Sequence, residues 1–288
     1  MRPFAYERPT AIRDVVGLLG VHGPAARLLA GGTDLIIRLR DGSIRPDVVV
    51  DVKRVLDLSD AISVETDRLV IGARTVMTDI GAHPVVRRDF AALADAAMVV
   101  GSAQIRNRAT LAGNLCNASP AADTAPGLLV FGAVVIVVGP TGERRIHLDD
   151  FFVRSGVTTL GPGEMVAAIE LPLPAVPRGS AHVRRTRRRG HDLASVTLAA
   201  IVEADGVARI AYGSVGPRPL RGAVTADALL DANLGDEARD RLLNQLFAGA
   251  SPSPTSLRAS PDYRLAMLRV LARRAIDAAR ARLEAGPG

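Results

Sequence analysis

The stretch RNRATLAGNLCNASPAADTAP, Arg106–Pro126, decides how this chain must be read. It holds a Gly-Asn pair, a string of small side chains and one aspartate, and almost nothing able to fill a core. In a chain that is 48% hydrophobic, so much backbone with so little bulk means that main chain must come close to something. The rest of the sequence narrows what that something is.

A second stretch has the same character. AGGTDLIIRLRDG, Ala30–Gly42, opens with a Gly-Gly turn, offers Thr33 or Asp34 as a helix cap and continues with good helix formers over 35–40. Glycine lets successive N–H groups face a ligand without a Cβ in the way, and a following helix N-terminus adds partial positive charge. Two such bends facing each other can clamp a pyrophosphate through amides and hydroxyls. Lys53 is the only lysine and lies outside both stretches. Neither stretch matches G-x-G-x-x-G or a P-loop, and each taken alone also reads as a plain turn with a helix cap.

Composition sets the limits. At 288 residues the chain suggests two domains with a core that needs no staples. Its single cysteine, Cys116, excludes an internal disulfide, a four-cysteine iron–sulfur site and a cysteine-rich zinc site. That usage fits a reducing, cytoplasmic compartment. No signal-peptide pattern opens the sequence, and no apolar run is long enough to span a membrane. The formal charge of +6 raises nucleic acid as a partner. Only RRTRRR, Arg184–Arg189, is dense in charge, and a chain 3% aromatic lacks base-stacking platforms, which argues against that partner.

Periodicity gives the organisation. A first α/β unit has a helix over 11–19 and strands over 27–29 and 48–52. A second has strands over 69–73, 133–138 and 144–148, a helix over 86–98, and the strand in EMVAAIELPLP, 164–174. AVPRGS, 175–180, reads as a linker. Beyond it, strands over 195–203 and 207–215 flank an Ala-Asp-Gly turn, and helices follow over 223–232, 236–248 and 262–284. The fold class is α+β. The expected domains are 1–174, in two lobes of about 1–55 and 56–174, and 178–285, an α+β domain with a small antiparallel sheet and helices.

Four stretches in order resemble the FAD-binding medium subunits of the molybdenum hydroxylase family, of the xanthine dehydrogenase and carbon monoxide dehydrogenase type. They are AGGTDLIIRLRDG, QIRNRATLAGNLCNASPAADTAP (104–126), GEMVAAIELP (163–172) and RRGHDLASV (188–196), so the resemblance spans nearly the whole chain. It implies a two-lobed FAD-binding domain of the PCMH/VAO type with FAD held non-covalently. By position, Ala30, Gly31, Gly32, Thr33, Asp34 and Leu35 would wrap the pyrophosphate and ribityl. Thr110, Gly113 and Asn114 would donate to the diphosphate from the other side, and Ser119 and Asp123 would hold ribityl or ribose hydroxyls. Val166 would offer backbone groups to the ring edge. Arg184 stands where many members have lysine near the pyrimidine end, and a cation there favours an anionic reduced ring. Ala112 replaces a family glycine, and Val100 sits near a position that is aromatic in some relatives.

The resemblance also implies partners: a small subunit with two [2Fe–2S] clusters and a large molybdopterin subunit, assembled as a dimer of heterotrimers. FAD would pass electrons to an external acceptor such as NAD or a quinone, and no catalytic side chain or metal ligand is expected on this chain. A variant carrying an extra [4Fe–4S] cluster is excluded by the lone cysteine. Two other classes stay open: a stand-alone flavin oxidoreductase of the same fold, and a flavin-free basic interaction protein. His22, His83, His147, His182 and His191 show no ligand-like spacing and read as surface or capping residues. Cys116 reads as a small packing residue.

Overall fold

A computed structural model of the protein describes residues 2–188, 190 and 192–286. Arg189 and His191, singled out in the sequence, lie outside the described residues.

The first lobe is a small parallel sheet. β1 (Ala5–Glu7), helix α1 (Ile12–His22), β2 (Ala26–Leu29), helix α2 (Leu35–Arg40) and β3 (Val48–Asp51) follow in order. β3 lies central, with Ala5 opposite Val48 on one side and Leu28 opposite Val50 on the other. Its Val-Val-Val run is buried throughout, as a strand covered on both faces requires. The sole lysine is spent here. Lys53 Nζ lies 2.7 Å from Oδ1 of the buried Asp51, whose other oxygen accepts from Tyr6 Oη. Burial pushes the Asp51 carboxyl up, but the bonds from Lys53 and Tyr6 outweigh it and hold it below the usual range.

The second lobe begins with β4 (Ile62–Val64) and β5 (Arg68–Gly72). A run of short helices follows: α3 (Met77–Ala82), α4 (Pro84–Asp89), α5 (Ala91–Met98), α6 (Ala103–Arg106), α7 (Leu111–Cys116) and α8 (Thr124–Val130). β6 (Val134–Gly139), β7 (Gly142–His147), α9 (Leu148–Phe151), β8 (Phe152–Arg154), β9 (Val157–Thr158) and β10 (Met165–Pro172) complete it. The main sheet is antiparallel in the order β4-β5-β10-β6-β7. The helix expected over 86–98 is two helices, because the chain turns out of helical geometry at Phe90. The Phe90 ring is fully buried, edge-on to Phe131 with centroids 5.1 Å apart, so packing overrides local propensity.

The third unit carries β11 (Arg178–Arg185), β12 (Val196–Glu203), β13 (Ala208–Gly213), β14 (Leu220–Arg221), and helices α10 (Asp236–Leu246) and α11 (Pro261–Ala285). Its four strands are antiparallel in chain order. Two readings shift. Arg178–Ser180, taken as linker, already pair in β11, and the helix expected over 223–232 shrinks to a 3-10 turn over Asp227–Leu230.

Alternation along these strands joins the domains. Val196, Leu198, Ala200 and Val202 belong to the core under α11, whereas Ala199 and Ile201 belong to the core of the second lobe. β12 is thus buried on both faces and reads as a continuous apolar run. On β11, Ser180, His182 and Arg184 face the N-terminal helices, with Ser180 Oγ accepting from Ala92 N at 3.1 Å. Gly179 faces α11 so closely that a Cβ there would lie 1.9 Å from the Ala279 carbonyl oxygen. Only glycine permits that approach.

Candidate functional site

The two small-residue stretches meet. A Cβ added at Gly31 would sit 1.9 Å from the carbonyl oxygen of Arg108 and 2.6 Å from its carbon. The bend after β2 is therefore seated directly on the segment that leads into α7. Backbone rather than side chain lies opposite, so the contact leaves no room for a larger residue.

The first bend runs Ala30–Asp34 and opens α2. Gly32 adopts φ +76, and its carbonyl accepts from Ile36 N at 3.0 Å. Among the described residues no protein acceptor takes the N–H groups of Gly31, Gly32, Thr33 or Asp34. Gly31, Gly32, Thr33 and Leu35 are half-buried and Asp34 is exposed, and the Asp34 side chain does not cap α2. Consecutive free amides around a left-handed glycine form a concavity suited to an anion.

The second stretch is more helical than a loop. Thr110 caps α7, its Oγ1 accepting from Gly113 N at 3.1 Å. Leu111 N donates to Thr75 O at 3.2 Å and Met77 N to Ala109 O at 2.9 Å, which sew the cap to the lobe. A Cβ at Gly113 would press on that capping hydroxyl at 2.8 Å. Asn114 has a structural duty: its Oδ1 accepts from Thr124 Oγ1 at 2.7 Å, tying α7 to the start of α8. Between the helices Ala118 holds φ +46, a conformation unusual for an L-residue outside functional turns. Next to it Ser119 Oγ accepts from Ala121 N at 3.2 Å.

Asp123 and Arg184 close the far end. Asp123 is buried at the start of α8, and its Oδ2 accepts from Arg184 Nη1 at 2.7 Å. Its Oδ1 is buried without a hydrogen-bond partner among the described residues. His182 Nε2 lies 3.5 Å from that oxygen and 2.8 Å from Thr197 Oγ1. Such an orphan acceptor is costly unless a donor reaches it. Arg184 is therefore a paired cation rather than an isolated one. Val166 is buried in β10, opposite Val137 and next to the register shift at Ala167, and α7 packs against this strand.

The structure thus gathers Gly31 with the approach to α7, Asn114 with α8, and Asp123 with Arg184. It also departs from several readings. His182, read as a surface residue, has a side chain only 2% exposed. His182 and Thr197 join the Asp123 cluster from the other domain, and no spacing in the sequence signals that. Cys116 is exposed rather than packed. β11 ends at Arg185, inside the RRTRRR run. Among the described residues no cluster of three or more His, Cys, Asp or Glu could hold a metal, and no helix is long and apolar enough to cross a membrane.

Known proteins are similar to this chain over nearly its whole length. Residues 2–174 match the FAD binding domain in molybdopterin dehydrogenase, and residues 181–279 match the CO dehydrogenase flavoprotein C-terminal domain. The chain is 31% identical over 283 residues to the carbon monoxide dehydrogenase medium chain of Hydrogenophaga pseudoflava, covering 97% of this chain and 98% of that one. It is 29% identical over 280 residues to the xanthine dehydrogenase FAD-binding subunit of Escherichia coli O157:H7, covering 96% and 95%. The structure is similar to a chain of carbon monoxide dehydrogenase from Hydrogenophaga pseudoflava, with TM-score 0.89, 32% identity and coverage of 98% and 99%.

Proposed function

The chain belongs to the FAD-binding medium subunits of the molybdenum hydroxylase family, and from that premise we propose that it is the flavin-bearing electron-transfer subunit of a molybdenum-containing dehydrogenase or hydroxylase complex. In this reading electrons come from the [2Fe–2S] clusters of a small subunit, and molybdopterin resides on a large subunit where substrate is oxidised. The terminal acceptor is an external carrier such as NAD or a quinone. The assembly is a dimer of heterotrimers. Its relatives include a nicotinate dehydrogenase FAD-subunit and a carbon monoxide dehydrogenase medium chain, so the substrate is set elsewhere in the complex.

The observation that carries this reading is the seating of Gly31 on the Arg108 carbonyl. It brings a bend with free amides at Gly31–Asp34 against the approach to α7. These donors fit the diphosphate of FAD, which needs N–H groups and no lysine. Ala30 and Leu35 bound the bend, and Thr110, Gly113 and Asn114 flank it from α7. Ser119 Oγ and the orphan Oδ1 of Asp123 fit as acceptors for ribityl or ribose hydroxyls. Val166 offers backbone at the ring edge, and Arg184 presents a cation already balanced by Asp123.

When bound, FAD supplies the exchange between one-electron and two-electron carriers. The chain's own residues bind and orient it and set the charge around it. No residue of the site need move a proton in this reading.

The test is purification. Flavin absorbance near about 450 nm, as for an oxidised flavin, should co-elute with the chain, together with iron–sulfur and molybdopterin polypeptides. Turnover of an organic substrate by the isolated flavin-loaded chain would instead identify a stand-alone oxidoreductase, and a chain that takes up no flavin would identify an interaction protein.

A further inference from the structure

On the face of the C-terminal sheet turned away from Asp123, three arginines from separate segments gather where α11 begins. Strand alternation sends Arg185 toward α11, where its Nε donates to Tyr263 Oη at 2.8 Å. Arg187 comes from the segment after β11, and Arg258 from the approach to α11. With Ser260, the α11 cap, they line a cavity of about 370 Å³. Among the described residues no Asp or Glu lines it. Asp192 touches this lining at Arg187, its Oδ2 accepting from Arg187 N at 3.1 Å and its Oδ1 lying 3.9 Å from Arg187 Nη2.

Charge is crowded further behind this lining. Arg264, only 7% exposed, donates to the Ser214 carbonyl and to Ser256 Oγ, both neutral acceptors. Burial lowers its pKa, and the charge of Arg258 lowers it further. The start of a 25-residue helix adds its own partial positive charge.

A buried serine joins the same lining. Ser195 is 2% exposed, its N–H donates to the Arg185 carbonyl at 2.7 Å, and its side chain lines the same cavity. A neutral donor beside convergent guanidinium groups suits an oxyanion. A carboxylate would leave most of this charge unbalanced, whereas a phosphate group carries about −1.5 to −2 at neutral pH. Guanidinium forks also match phosphate oxygens in pairs.

We propose that this cavity binds the phosphate group of a small molecule, gripped by Arg185, Arg187 and Arg258 at the start of α11, with Ser195 Oγ and Tyr263 Oη completing the contacts. The site lies across the sheet from the flavin residues and does not depend on their assignment.

The test uses the full chain in flavin-loaded form, titrated calorimetrically with inorganic phosphate and with ADP at ionic strength held constant by chloride. Phosphate should bind saturably and raise the unfolding temperature. ADP binding more tightly than phosphate identifies a nucleotide as the source, and equal affinities identify the phosphoryl group alone. Arg258→Gln should weaken phosphate binding by about tenfold or more with flavin content unchanged. Without phosphate its unfolding temperature should be at or above that of the unsubstituted chain, since repulsion of Arg264 is relieved. Arg187→Gln is the second variant and should weaken binding in the same direction. Phosphate that shifts unfolding no more than chloride, or both variants keeping full affinity, overturns the proposal.

Discussion

Arg184 Nη1 lies 2.7 Å from Asp123 Oδ2, joining the start of α8 to the first strand of the C-terminal sheet. The two side chains are 16% and 8% exposed, so the pair sits mostly out of water. Removing one member of such a pair leaves a charge without its counter-ion, at a cost of about 3 kcal/mol. Asp123→Asn should therefore destabilise the flavin-free chain, and Asp123→Asn with Arg184→Met should recover most of the loss. Chemical unfolding of the two singles and the double measures this coupling. With flavin bound as proposed, Asp123→Asn also frees the Arg184 cation and should raise the flavin midpoint potential in a redox titration.

Glu164 gives a pH dependence with a definite sign. Arg144 donates to both of its carboxylate oxygens at 2.7 Å, and Gly161 N donates at 2.6 Å. The bond from Arg144 lowers the Glu164 pKa; burial opposes it, and the Gly161 amide and the Arg144 charge add to the lowering. A carboxyl with a depressed folded pKa contributes stability above its unfolded value and loses it as pH falls through the folded one. Stability should decline below the ordinary value of 4.5, and Glu164→Gln should flatten that part of the profile. The contribution is modest because Arg144 is 44% exposed, and added salt should shrink it. Thermal unfolding of both chains between acid and neutral pH checks the difference.

Much of this was legible in the sequence, and the exceptions have physical causes. The Val-Val-Val strand, the hairpin of β12 and β13, and the long last helix follow from short-range pattern, and each forms near its expected place. The small-residue stretches were legible as sites of close backbone approach. That one of them meets the other through Gly31 and Arg108 was not, because pairing between distant segments leaves no local trace. The break at Phe90 follows from its ring packing on Phe131, a tertiary demand that apolar helical spacing conceals. His182 looked like a scattered histidine because its partners, Thr197 and Asp123, sit on another strand and in another domain.

Asn114 carries a structural bond that its glycine neighbour hides. Its Oδ1 accepts from Thr124 Oγ1, and Thr124 is fully buried. Asn114→Leu leaves that hydroxyl without an acceptor, a loss of about 1–3 kcal/mol. The flavin-free variant should thus unfold at lower temperature than the unsubstituted chain. Asn114→Asp, which keeps an acceptor oxygen, should recover stability while adding a negative charge beside the proposed diphosphate. Lower flavin retention in the aspartate variant, with near-normal stability, separates the ligand role from the packing role.

Gly31 makes the most direct claim on function. A methyl at this position meets the Arg108 carbonyl oxygen at 1.9 Å, far inside contact distance, and the obstacle is main chain that no rotamer change can move. Gly31→Ala must push the bend after β2 away from the approach to α7, and with it the free amides of Gly31–Asp34. The core of the first lobe does not depend on that contact, since Val48, Val49 and Val50 are buried in the central strand of the sheet rather than at the bend. The expected outcome is a folded chain with flavin affinity reduced by about tenfold or more. Gly42→Ala is the control: Gly42 has φ +75 with nothing within 4 Å of an added Cβ, so only conformational strain of about 1 kcal/mol is added. Flavin content after gel filtration and circular dichroism of both variants distinguish the cases. Equal flavin retention by Gly31→Ala and Gly42→Ala would show that the meeting of the two bends is a packing device with no part in holding the cofactor.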